Sequence, residues 1–178
     1  MPSSTPDEGV TVETCGAYLQ GIFGVGGETH GELVIVSPDA HSVLNVSDIS
    51  ADHSGKIVVG GSLVTGAALK RAIQLGVRGV VVGGFDDQDL REFLGGALGV
   101  AITGHENLGV TLIVTEGFGQ IDMAPTTYAL LKKHAGARAS INGATQIRAG
   151  VIRPEVIIPL ADASQSASVA TDTKGMAA

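Results

Sequence analysis

Residues 56–84 read KIVVGGSLVTGAALKRAIQLGVRGVVVGG, and this stretch decides the fold class. Ile57, Val58 and Val59 form one β-branched run, and Val80, Val81 and Val82 form another. Neither run alternates with polar residues. Strands buried on both faces read this way, as in a parallel sheet covered by helices. Between the runs, Leu63, Ala67, Leu69, Ala72 and Ile73 recur at helical spacing, with Lys70 and Arg71 on the opposite side. Ser62 or Thr65 is placed to cap that helix, and Gly76 to end it in a left-handed conformation. The pattern predicts a right-handed βαβ crossover.

Each of the two runs ends in a glycine pair, Gly60-Gly61 and Gly83-Gly84. The carboxyl edge of a parallel sheet is where open α/β folds bind ligands, and a helix start there presents N–H groups to an anion. Gly60, Gly61, Ser62, Thr65, Gly83 and Gly84 are therefore candidate binding residues for a small anion such as a phosphate ester. The competing reading is that the glycines only make tight turns and let the helix approach the sheet. No Gly-Lys-Ser/Thr follows, so the turn is not a P-loop, and the G-x-G-x-x-G spacing of a dinucleotide site is absent.

Upstream, V-T-V-E-T-C from Val10 alternates and runs into AYLQGIF, which predicts one bent strand or two short ones with Gly16 at the bend. GVGGETHG (24–31) reads as a glycine-rich tip and ELVIVS (32–37) as the returning strand, so an N-terminal antiparallel β-hairpin is expected. Residues 37–55 read as loop with a short turn near 46–49. Downstream, Asp86 is placed to cap a helix whose buried side is Leu90, Phe93 and Leu94, stopped by Gly95 and Gly96. GVAIT (99–103) and GVTLIVTEGFG (109–119) read as further strands. Residues 122–134 read as a helix with Pro125 in its first turn, ended by Gly136. RASING (138–143) is a fifth strand. QIRAGVIRPEVIIPL (146–160) reads as a strand pair or a long edge strand, because Pro154 and Pro159 argue against the middle of a sheet. Residues 1–9 are expected to be flexible, 10–160 to form one α/β domain, and 161–178, small and polar without period, to be a disordered tail.

Composition narrows the function classes. Apolar residues make up 44% of 178, aromatics only 3%, and Trp is absent, so the core is aliphatic. A net charge of −7 without a basic stripe, together with so few stacking residues, argues against nucleic acid. The N-terminus has neither a basic start nor an apolar stretch, and no run approaches a membrane span, so a cytoplasmic setting and no membrane partner are expected. A mean hydropathy of +0.31 points to apolar surface covered by a partner, in a homo-oligomer.

Few residues suggest chemistry. Strand-end loops would gather Ser62, Thr65, Thr103, His105, Glu106, Thr115 and Glu116 on one rim if the strands are parallel neighbours. His105, Glu106 and Glu116 are then acid/base candidates, with His105 also a candidate nucleophile or phosphate acceptor. The competing reading makes His105 a solvated loop residue and the glutamates turn and cap residues. Glu28, His30 and Glu32 would share a side for a metal only if 28–32 is extended; no cofactor or metal is expected. Cys15, the lone cysteine, is expected to pack as a small buried residue.

GIFGVGGETHGEL, KIVVGGSLVTGAALKRAIQLGVRGVVVGG, AITGHENLGVTLIVTEGFG and ASINGATQIRAGVIRPEVI together resemble a family of uncharacterised prokaryotic α/β proteins, over most of residues 16–158. The resemblance implies this core and no assigned activity; longer family members add small β-modules around it. More distantly, the order strand, glycine turn, helix, strand is similar to the swivelling β/β/α domains of phosphotransfer enzymes and aconitase-like proteins. The histidine that carries phosphate at a helix start in the phosphotransfer members has no counterpart in S-L-V-T-G. The expected protein is thus a swivelling-domain-like α/β domain with a mainly parallel sheet of four or five strands and short crossover helices. Its expected role is a non-catalytic binding or assembly module, working as a homo-oligomeric subunit; the alternative is an enzyme-type domain that binds a small anion.

Overall fold

In the computed structural model, which describes residues 2–5, 9–12, 14–93, 109–146 and 152–160, the two valine-rich runs are adjacent parallel strands. Pro2–Thr5 (β1) and Gly9–Val12 (β2) form a separate antiparallel ribbon. One mixed sheet of ten strands holds the rest. They are Gly16–Gln20 (β3), Phe23–Val25 (β4), Glu28–Ile35 (β5), Val43–Leu44 (β6), Ile57–Val59 (β7), Leu63–Val64 (β8), Gly79–Phe85 (β9), Thr111–Phe118 (β10), Arg138–Asn142 (β11) and Glu155–Pro159 (β12). The helices are Gly66–Gln74 (α1), Asp87–Phe93 (α2) and Pro125–Lys133 (α3), with 3-10 turns at Val46–Asp48 and Ala51–His53. The main strand order is β3-β12-β11-β5-β7-β9-β10-β4, with β6 and β8 extending the pairing beside β9.

The centre, β5-β7-β9-β10, is parallel, as the apolar runs predict. Successive residues face opposite cores. Val58, Val80, Val82, Leu112 and Val114 pack under α1 and α2, with Ala68, Leu69, Ala72 and Leu90. Ile57, Val59, Val81 and Ile113 face the other way, against Leu131 of α3 and Ile141, Val156 and Ile158 of β11 and β12. The parallel strands are therefore a middle layer, with α1 and α2 on one side and α3 with the antiparallel strands on the other. Burying Leu69 fully contributes about 2 kcal/mol. Thr65 caps α1 through its hydroxyl, which accepts from Ala68 N at 3.2 Å, and Gly76 ends the turn at φ +71°. Asp86 caps α2 by accepting from Gln88 N and Asp89 N. Pro125 opens α3, and Gly136 follows it at φ +83°.

Several expectations need correction. The N-terminal hairpin of 10–23 with 32–37 does not form: β3 pairs with β12, β4 with β10, and β5 with β11 and β7. Gly21 and Ile22 alone separate β3 from β4, yet these strands sit at opposite ends of the order. Gly21 N donates to Pro154 O at 2.8 Å and Ile22 N to Val114 O at 2.9 Å, so the sheet closes upon itself. A single chain segment thus bridges the two ends of the strand order, although β4 covers only residues 112–114 of β10. The sheet is also larger than four or five strands, because β11, β12, β3 and β4 add antiparallel neighbours to the parallel centre. β12 is not an edge strand. It lies between β11 and β3, and its prolines stand just before it and at its last residue, leaving the ladder donors between them intact. Gly83 and Gly84 are not a turn but buried members of β9, and Leu63, expected in the helix, belongs to β8. The predicted strand at 99–103 and the helix stop at Gly95-Gly96 lie outside the described residues.

Candidate functional site

Parallel order brings the carboxyl ends of β5, β7, β9 and β10 to one edge, which is the condition set for the expected rim. Its loops, 37–42, 60–62 and 119–124, are braced by Ser62. The buried Ser62 hydroxyl donates to His41 O at 2.6 Å, and Gln120 Nε2 reaches Ser62 Oγ at 3.4 Å. On the backbone, Ser62 N donates to Ser42 O at 2.9 Å, Ile121 N to Ser62 O at 3.2 Å, and Gly83 N to Gly61 O at 2.8 Å.

The glycines serve this close approach. A Cβ on Gly61 would press on Ser42 O and lie 2.6 Å from Asp39 O; one on Gly83 would press on Ile121 O, and one on Gly84 on Gly119 O. Gly60, Gly61, Ser62, Gly83 and Gly84 are all buried. Beside them, Gly66 N at the start of α1 donates to Asp89 Oδ2 at 2.8 Å, and Thr65 is engaged as the cap. The chain's own carboxylate thus takes the position that an incoming anion would occupy.

Thr115 and Glu116 also reach the rim, in structural roles. Thr115 Oγ1 donates to Val82 O at 3.2 Å. Glu116 Oε1 accepts from Ala124 N at 3.0 Å at the start of α3, the cap role that competed with acid/base work. Thr103, His105 and Glu106 lie outside the described residues.

Two groups that no local motif announces lie at the solvent side of this rim. His41 Nδ1 is 2.6 Å from Asp122 Oδ2, both exposed, across 81 positions of sequence. The bond to Asp122 raises the His41 pKa above 6.5, helped by the negative charges of Asp122 and Asp39. Asp39 accepts from His41 N, Ser42 N and Ser42 Oγ at 2.7–2.9 Å, and the Ser42 hydroxyl is the first cause of its lowered pKa. Such a pair can hold a proton near neutrality. However, Ser62 donates to the His41 carbonyl and not to its ring, so the pair does not activate that hydroxyl.

In an NMR titration, His41 is expected to titrate above 6.5, and Asp122→Asn is expected to return it toward 6.5. Unchanged titration in the variant would rule out Asp122 as the cause of the shift. The raised pKa stabilises the fold below pH 6.5, and that contribution is lost as pH rises through the folded value. Asp39 acts oppositely: its contribution is present above pH 3.8 and is lost as pH falls through its lowered value.

Glu28, His30 and Glu32 do share one exposed face of β5, since the segment is extended. Along a strand, i and i+2 are about 6.6 Å apart and i and i+4 about 13 Å, too far for one ion's ligand shell. Among the described residues no group of three His, Cys, Asp or Glu side chains is placed to hold a metal. Cys15 is exposed, contrary to the expected burial; it immediately precedes β3, where its carbonyl accepts from Leu160 N at 3.0 Å. No described helix is long and apolar enough to cross a membrane. Comparison of the chain with protein-family models, curated proteins and solved structures gives no match.

Proposed function

We propose that this chain is a non-catalytic binding or assembly module that works as a homo-oligomeric subunit in the cytoplasm. One observation carries the reading: apolar side chains stand exposed beside an incompletely covered strand. β4 pairs only with residues 112–114 of β10, and among the described residues no strand pairs with the outer side of 115–118. There Phe118 is 49% exposed, Ile121 39% and, beside β4, Ile22 47%. Phe118 leans on Phe23 with ring centroids 5.1 Å apart, which holds it in place. Two copies meeting at this edge around a two-fold axis would pair their backbones and cover these side chains.

The antiparallel layer over the parallel strands supports a likeness to swivelling β/β/α domains, and the resemblance to a family without assigned activity agrees with a binding role. The alternative, an anion site at the glycine turns, is less well supported, since buried backbone and Asp89 fill that position.

Light scattering over a concentration series tests the proposal. The wild-type chain is expected to give a discrete oligomer, and Phe118→Lys to give the monomer mass with unchanged far-UV circular dichroism. A wild-type monomer at every concentration would overturn it.

A further inference from the structure

At the other end of the parallel strands, a cleft of about 390 Å³ opens beside the amino ends of β7 and β9. It is lined by His30 and Glu32 of β5, Arg78 just before β9, Arg138 at the start of β11, and backbone at Gly31, Gly55 and Gly136. Added Cβ atoms at Gly55 and Gly136 would meet nothing within 4 Å, so the space above them is open.

The charge lining this cleft runs against the chain's net charge. The chain carries −7 overall, yet two guanidinium groups face one carboxylate here. That carboxylate, Glu32, lies 3.5 Å from Lys56 Nζ. Among the described residues no carboxylate lies within 4 Å of Arg78 or Arg138. Arg78 Nη1 donates to His30 O at 2.8 Å, which anchors the guanidinium while its remaining N–H groups stay available for a ligand. Arg138 stands opposite Glu32 in the β5–β11 ladder, so the strand pairing fixes its base. The last turn of α3, which leads toward Gly136, carries Lys132 and Lys133 to offset the negative end of that helix.

The geometry points to this cleft as a binding site for a small anionic molecule, held through a phosphate or carboxylate group by Arg78 and Arg138, with His30 beside them. Arginine forks match the planar or tetrahedral oxygens of both groups, and a volume of this size admits a metabolite-sized ligand. The site lies at the opposite strand ends from the glycine turns and is independent of the oligomer edge.

The test is calorimetric titration with pyrophosphate and, separately, with citrate, each at constant ionic strength. At least one is expected to bind saturably, and the one that does identifies the head group. Arg138→Gln is expected to weaken that binding at least tenfold while circular dichroism and solution mass stay at wild-type values. His41→Ala, on the far rim, is expected to bind as the wild type does. If neither anion binds beyond an equal ionic strength of chloride, or if Arg138→Gln binds equally well, the assignment is overturned.

Discussion

Gly84→Ala is expected to destabilise the fold by about 3 kcal/mol, read as a lower urea midpoint. The added methyl would drive into Gly119 O and lie 2.9 Å from Ser62 O. Both are backbone atoms. Gly119 is tied by its own N–H to Phe85 O, and Ser62 O accepts from Ile121 N, so neither moves without breaking the braces of the rim. Gly79→Ala is the control. There the nearest atom is Ile141 Cδ1, the tip of a side chain that can change rotamer, and the cost should be about 1 kcal/mol. Equal losses in the two variants would mean that the rim backbone yields as easily as a side chain, contrary to its hydrogen bonding.

Phe85→Ala should cost about 3–5 kcal/mol. Phe85 is the largest of the fully buried side chains and belongs to the same apolar cluster as Val64 and Leu90. Its backbone also pairs with Val64 on one side and Phe118 on the other. Truncation leaves a cavity at the junction of three strands, which cannot collapse without disturbing two ladders. Thermal or urea unfolding decides it; a loss under about 1 kcal/mol, the range of a surface change, would show that α1 and α2 close readily over the gap.

The local part of this architecture is legible in the chain. Ile57–Val59 and the run at 80–82 are buried on both faces, as unbroken β-branched runs imply. The caps Thr65 and Asp86 and the stops Gly76 and Gly136 act where their chemistry places them. What escapes a local reading is long-range. Nothing near residue 20 signals that Leu19 pairs with Val156, or near residue 24 that Gly24 pairs with Ile113. Proline in 154–159 argues for an edge because composition counts the residue, whereas the ladder depends on which N–H is missing. The site follows the same division. Glycine pairs are visible, but their use as contact points for neighbouring loops depends on backbone far away in sequence. His41 and Asp122, or Arg78 and Arg138, carry no local pattern at all; only strand order brings each pair together.

The closure of the sheet by Gly21 and Ile22 also sets an order of events in the cell. β3 emerges from the ribosome early, but its partner β12 spans 155–159, with 137 positions between Tyr18 and Glu155. Until that strand is synthesised, Tyr18 and Leu19 have no ladder to join, and their edge stays available to other chains. Closure must therefore wait until β12 has left the ribosome, at the slower pace of non-local pairing, and a chain truncated before residue 155 would leave β3 permanently without its partner.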